Sequence, residues 1–246
     1  MKAIILAAGR GMRLNEGRSS IPKSMEKIGD QSIIHYQIEQ CLKLGIKKFV
    51  VVVGYEKVML TEHVLKKVNS SQVHFIENQY FAETNTLYSL YLTGKYFSED
   101  FIYFNADVYF HPLLLEKIVN DNGKTELLIE KKECGEEEVK VAIENDRIVE
   151  IHKQVDMNKA VGEFIGIGKF ARKDQYALFE ALELGANTGQ GNNYFEYAVN
   201  MISAFCDLHP VFTDDLPCIE IDFQEDLKRA REVVYPQVQS YLDMQK

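Results

Sequence analysis

The sequence predicts an α/β fold: a doubly wound, mostly parallel mixed sheet of Rossmann-like type, with a small strand-rich lobe. Three observations carry that expectation. Short β-branched apolar runs alternate with stretches of helical periodicity through the first half of the chain. The connections between those runs are long enough to be crossovers, which implies parallel strands. A chain of 246 residues, 46% hydrophobic and 26% charged, can also bury a sizeable core.

The first strand is read over Ala3 to Ala7 and leads into a glycine-rich loop. In the helix that follows, Ile33, Ile34, Ile38, Cys41 and Leu42 share one face, and Gly45 supplies the stop. Phe49 to Val53 is the next strand, completing a βαβ unit. Further elements are expected as a helix over about Leu60 to Lys67, a strand Val73 to Glu77 and a helix around Leu87 to Leu92. A strand Phe101 to Asn105 and a helix from Pro112 to Asn120 close the first half. After Gly123 the rhythm changes to strands at Leu127 to Glu130, Lys140 to Ile143 and Arg147 to Ile151, the last two joined by an Asn145-Asp146 turn. The run Gly162 to Gly168 is a strand with more glycine than packing requires, which points to close backbone approach. Helices follow at Lys173 to Leu184, Tyr194 to Ser203 and Gln224 to Val234, with a short strand Ile219 to Asp222 before the last. No linker or internal repeat divides the chain, so a single domain is expected, with halves of about 1–123 and 124–246.

Twenty-eight basic against 37 acidic residues give a net charge of −9, which disfavours nucleic acid or an anionic membrane as partner. No apolar run has membrane-spanning length, and the first nine residues are too short for a signal-peptide core, so a cytoplasmic chain is expected. Cys41, Cys134, Cys206 and Cys218 are widely spaced without a CxxC pair, and read as buried or incidental thiols.

The chemistry begins at Gly9-Arg10-Gly11-Met12-Arg13-Leu14. Glycines at a strand end let backbone N–H groups face a phosphate, and the arginines add charge-assisted donors. A dinucleotide-binding loop would need a third glycine where Leu14 stands, and a P-loop would need Gly-Lys-Ser/Thr, which is absent. Residues 1–27 hold Lys2, Arg10, Arg13, Arg18, Lys23 and Lys27 against Glu16 and Glu26, a local +4 inside an acidic protein.

Leu6-Ala7-Ala8-Gly9-Arg10-Gly11-Met12-Arg13-Leu14 followed by Pro22-Lys23 resembles the signature of nucleotidyltransferases that couple an NTP to a phosphorylated small molecule. The resemblance implies that the loop, including Leu6, Ala8, Gly9, Arg10 and Gly11, wraps the triphosphate. Arg13 and Lys23 would act catalytically, with Lys23 facing the α-phosphoryl group. The spacer Asn15 to Ile21 departs from the family's usual Leu-Thr element, so the lid over the triphosphate is expected to differ. Asp107 and Asp222, each ending an apolar run, match the positions that carry Mg2+ in the family. Asp222 also precedes a helix pattern, where an Asp commonly serves as N-cap. The stretch Asn78 to Asn85 followed by Ser89 resembles the family segment on the nucleoside side of the pocket, assigning Asn78, Thr84, Asn85 and Ser89 to the nucleotide. Thr84 or Asn85 equally suits a helix cap.

Later segments resemble the phosphocholine and 2-aminoethylphosphonate cytidylyltransferase branch, among them Asp107 to Pro112, Glu137 to Val141, Gly162 to Ile167 and Glu220 to Leu227. That resemblance implies CTP or another pyrimidine NTP as donor and a small amino-bearing phosphate or phosphonate as acceptor. Lys140 and Lys153 would hold the acceptor's phosphate. Glu163 and Glu196, with Tyr109, Phe164, Tyr194 or Phe195, would receive its ammonium. Such an acceptor oxygen is already ionised, so none of the six histidines is expected to act as a base. A sugar 1-phosphate or inositol phosphate acceptor would instead use the polar loop Asn187, Thr188, Gln190, Asn192 and Asn193. A glycosyltransferase of related fold would want an Asp where Asn105 stands, and a regulatory relative would have lost Arg13, Lys23 or a metal carboxylate. A homodimer is compatible with the sequence, which does not determine oligomeric state.

Overall fold

The computed structural model describes residues 1–14, 21–120 and 122–244. Its centre is strand β1 (Lys2–Ala7), buried along its whole length. β1 pairs in parallel with β4 (Phe49–Val53) on one side and β6 (Phe101–Asn105) on the other, and β5 (Val73–Glu77) extends the sheet beyond β4. Short strands β2 (Lys27–Ile28) and β3 (Gln31–Ser32) form a hairpin before α1 (Ile33–Lys43). The Ser32 hydroxyl caps that helix by accepting from His35 N at 3.3 Å. Gly45, at φ +78°, ends it as expected.

Alternation along the strands sends side chains to two cores, one on each face of the sheet. Ile5, Val51, Ile102 and Phe104 pack with α1, with α4 (Pro112–Ile118) and with the C-terminal helices. Ile4, Leu6, Val52 and Tyr103 pack with α3 (Thr86–Tyr91), α5 (Gln175–Asn187) and α6 (Glu196–Ile202). Helix α2 (Lys57–Val64) starts three residues earlier than its sequence pattern suggested.

The second half completes a nine-stranded mixed sheet. β11 (Ala160–Phe170) runs antiparallel to β6 through Ile167–Phe170 and to β9 (Lys140–Glu144) through Ala160–Glu163, while its other edge holds β8 (Thr125–Glu130). The switch of partner occurs around Gly166, at φ +75°. The close approaches expected of this glycine-rich strand are to the protein itself. A Cβ at Gly162 would lie 2.1 Å from the Glu130 carbonyl oxygen, and one at Gly166 would lie 2.8 Å from Asn105 Nδ2. β9 and β10 (Arg147–His152) form the predicted hairpin, with Asn145 and Asp146 both at positive φ.

Several elements were not expected, and two of them have a plain physical reason. β12 (Leu208–Phe212) adds an edge strand parallel to β8 and tolerates Pro210 there. The last helical segment does not stop before Pro236: α7 (Gln224–Arg229) passes through a π turn, Ala230–Val234, into α8 (Tyr235–Met244). The widened turn precedes a proline, whose ring and missing N–H an α-helical ladder cannot accommodate. Finally, β7 (Val108–Phe110) pairs antiparallel with β13 (Cys218–Glu220), bringing the two aspartate-bearing strand ends together. No helix among the described residues is long and apolar enough to cross a membrane.

Candidate active site

A cleft of about 300 Å³ opens where β1, β6 and β13 end, the usual place for a ligand in an open α/β sheet. Leu6, Ala8, Gly9, Gly11 and Arg13 line one wall. Gly11 sits at φ +61°, and a Cβ there would lie 2.9 Å from Lys23 Cβ, so this position needs glycine both for its backbone and for the approach of Lys23. Leu14 N–H donates to Gly11 O at 3.2 Å, closing the turn, and the Leu14 side chain anchors it in the core. Arg10 is exposed and lies over the Phe81 ring at 5.3 Å rather than in the cleft. Glu16, Arg18 and the rest of the spacer 15–20 fall outside the described residues.

Lys23 opens a single 3-10 turn after Pro22 and reaches both carboxylates: Nζ is 2.7 Å from Asp107 Oδ2 and 2.6 Å from Asp222 Oδ1. Arg13 closes the cluster, with a guanidinium nitrogen 2.7 Å from Asp222 Oδ2. Burial alone would lower the Lys23 pKa, but the charges of Asp107 and Asp222 outweigh it and raise it above the ordinary lysine value. Asp107 follows β6 on a turn clamped by Gln37, whose Nε2 donates to Asn105 O and Val108 O, both at 2.9 Å. Asp222 is not the cap of α7. The N-cap position is Phe223, and Asp226 in the first turn reaches back to close it, its Oδ2 accepting from Phe223 N at 2.8 Å and Asp222 N at 3.0 Å. The Asp222 side chain is thereby left to face the cleft.

One member of this cluster was missed in the sequence. Glu220 lines the cleft beside Asp222. Burial, with the Asp107 charge next, raises its pKa well above the ordinary carboxylate value against the lowering effect of Lys23. Strand alternation, which places Glu220 and Asp222 two residues apart, was the signal that could have found it. Asp107 Oδ1 is buried with no hydrogen-bond donor. Among the described residues no group of three His, Cys, Asp or Glu side chains could hold a metal ion. Two carboxylates with one unpartnered oxygen nonetheless suit a hard cation that takes its remaining ligands from phosphate and water.

On the far wall, Asn78 is buried and organises the segment assigned to the nucleotide. Its Nδ2 donates to Thr84 Oγ1 and Ser89 Oγ, each at 3.0 Å, and its Oδ1 accepts from Tyr80 N at 3.0 Å. Asn78, Thr84, Asn85 and Ser89 all line the cleft. Asn85 also caps α3, accepting from Thr86 N at 2.9 Å, and capping does not remove it from the cleft wall.

The expected acceptor residues divide. Lys153, Tyr194 and Glu196 line a second cavity that meets the cleft at Tyr194. Lys153 Nζ lies 5.3 Å from the Tyr194 ring centroid and 3.0 Å from Glu137 Oε2. Glu196 Oε2 is buried without a hydrogen-bond partner, and burial pushes its pKa up to about 7, with Lys153 acting the other way. Tyr109, by contrast, is a core residue, 2% exposed and packed 4.4 Å from Tyr36. Phe164 and Phe195 are likewise buried, in the other core. Lys140 is also removed from the acceptor set: its buried ammonium donates to the carbonyls of Lys153 (2.6 Å), Glu136 and Glu138 (both 3.3 Å). Glu163 is paired with Lys132 at 2.5 Å. Of the alternative polar loop, Asn192 and Asn193 line the second cavity, as does His152. No histidine lines the first cleft.

A strand-end cleft with a glycine turn, a lysine bridging two aspartates and an adjoining polar cavity defines a nucleotide-handling enzyme. Residues 3–132 match the MobA-like NTP transferase domain, and the chain belongs to that family of nucleotidyltransferases. It is 27% identical to the CTP:phosphoglutamine cytidylyltransferase of Campylobacter jejuni, over 93% of this chain and 98% of that protein. It is 35% identical to the choline-phosphate cytidylyltransferase of Streptococcus pneumoniae over 44% of this chain and 45% of the other. In fold it is similar to the inositol-1-phosphate CTP transferase of T. maritima (TM-score 0.80, 23% identity, covering 97% and 94% of the two chains).

Proposed function

We propose that the chain is a CTP-dependent cytidylyltransferase. It would couple the nucleotide to a small amino-bearing phosphate or phosphonate, releasing pyrophosphate and a CDP-type or CMP–phosphonate conjugate. The observation that carries the chemistry is the position of Lys23, within 2.7 Å of both Asp107 and Asp222 and backed by Arg13. Asp107 and Asp222 would hold Mg2+, which when bound neutralises charge on the phosphate oxygens. As the nucleotide enters, Lys23 and Arg13 would turn from the carboxylates to the triphosphate and stabilise charge building up at the α-phosphoryl group. The Gly9–Gly11 backbone would cradle the triphosphate, and the Asn78 scaffold would hold the nucleoside wall.

The second cavity supports an acceptor with an ammonium group. Tyr194 presents an aromatic face, and Glu196 a carboxylate oxygen with no protein partner. Lys153 stands beside them for the anionic end. Curated relatives act in the same direction. They include the phosphoglutamine and choline-phosphate enzymes and the CMP-5'-(3-aminopropyl)phosphonate synthase of Streptomyces rubellomurinus, of which this chain spans 33%.

The test is pyrophosphate release with each of four NTPs and Mg2+, against phosphocholine, 2-aminoethylphosphonate, phosphoethanolamine, inositol 1-phosphate and glucose 1-phosphate. Turnover confined to CTP and an amino-bearing acceptor is expected. Turnover confined to a sugar or inositol phosphate would discard the ammonium pocket and leave the nucleotide half standing.

A further inference from the structure

Asn105 ends β6 two residues before Asp107 and lines the cleft, yet the nucleotide chemistry above gives it no role. Its surroundings fix it closely. The backbone carbonyl is held by Gln37 Nε2, and Leu6 O accepts from the next residue's N–H at 3.2 Å. The side chain is oriented by a buried phenol. Tyr103, fully buried, gives its own proton to Asn105 Oδ1 at 2.5 Å. With Oδ1 committed, the amide presents Nδ2 as a donor. Gly166 packs closely against this amide, since a Cβ there would stand 2.8 Å from Nδ2, and a larger residue would displace it.

We propose that Asn105 Nδ2 binds the acceptor's phosphate or phosphonate, aimed by Tyr103 acting as a positioning residue. Arg13 and Lys23 attend the cleft from the β1 side. Asn105 attends it from the β11 side, where it packs against Gly166. A fixed amide donor is suited to hold an ionised oxygen in line with the α-phosphorus without adding charge to the cleft. The inference rests on the proposed function only in taking a phosphate or phosphonate as the acceptor's reacting group, which every member of the acceptor panel carries.

The test is steady-state kinetics with whichever nucleotide and acceptor the wild type uses. Asn105→Asp and Asn105→Ala should each raise the acceptor KM by about tenfold or more, with the NTP KM within about twofold of wild type. Tyr103→Phe should raise the acceptor KM less, and should add little to Asn105→Ala in a double-mutant cycle, because Tyr103 acts through Asn105. A structural role alone would give additive losses with no split between the two substrates. An unchanged acceptor KM in both Asn105 variants, or an effect confined to the NTP, would overturn the proposal. Should the wild type turn over none of the panel, the proposed acceptor class fails. Asn105 is then decided by calorimetric binding of methylphosphonate in the presence of CTP and Mg2+: weakening by Asn105→Asp upholds it and equal binding refutes it.

Discussion

Lys23 and Asp107 meet within 2.7 Å; Lys23 also bridges to Asp222, and Asp107 keeps one buried oxygen without a partner, the oxygen that would meet the proposed Mg2+. Lys23→Met and Asp107→Ala should therefore each lower kcat by roughly 10²–10³-fold while leaving the melting temperature near wild type, measured by pyrophosphate release and thermal denaturation. Glu196 is expected to show itself through pH. Its pKa is about 7 in the folded chain against 4.5 unperturbed, so between those values the unfolded state has lost a proton that the folded state keeps. Stability should fall as pH rises from about 4.5 to about 7. Glu196→Gln should be the more stable protein at pH 8, by on the order of 3 kcal/mol, and equal to wild type near pH 4 in urea titrations. The KM for a cationic acceptor should improve as pH rises through about 7 in wild type, and stay flat in the variant. The family resemblance, with charge at strand ends beside it, singled out Arg13, Lys23, Asp107 and Asp222, and the fold brings the four together. Residue types alone could not separate Lys153 from Lys140 or Glu196 from Glu163. A lysine that serves three carbonyls and a lysine that faces a cavity look alike until their partners are known.

At the scale of elements, the site depends on short connections held by buried amides. Asn78→Ala would remove three hydrogen bonds from the segment between β5 and α3. A loss of about 2–3 kcal/mol and a raised NTP KM are expected, read by denaturant unfolding and kinetics. Lys140→Met should cost about 2–4 kcal/mol by orphaning carbonyls of the β9–β10 lobe, yet leave the acceptor KM unchanged among folded molecules. A large selective rise in that KM would return Lys140 to the acceptor site. Most strands and helices were legible because their apolar periodicity is unambiguous. β12 was not, since Leu208-His209-Pro210-Val211-Phe212 is interrupted by a proline that only an edge position permits. α8 was not expected because the last helical pattern reads as ending at Val234, whereas a π turn carries the helix on past Pro236. The left-handed backbone of Gly11 shows how a local rule can be visible while its reason is not: the sequence displays the glycine, and only the fold displays Lys23 packed against it.

For the whole molecule, β11 ties the halves together, since one continuous strand pairs with β6 of the first half and with β8 and β9 of the second. Both cores also draw residues from both halves. Unfolding should therefore be one cooperative transition, with calorimetric and van't Hoff enthalpies equal, and a fragment of residues 1–123 should lack a stable fold by circular dichroism. The two halves expected to meet near residue 123 share both cores and the cleft, to which the second half contributes Glu220 and Asp222. The cluster at the centre has a further consequence. Arg13 and Lys23 are matched within the cleft by Asp107 and Asp222, so two of its cations are screened by its own anions, on a protein of net charge −9. Little long-range field is left to steer a nucleotide inward. Its association rate should be governed by diffusion and local rearrangement, and should change only slightly as ionic strength is raised.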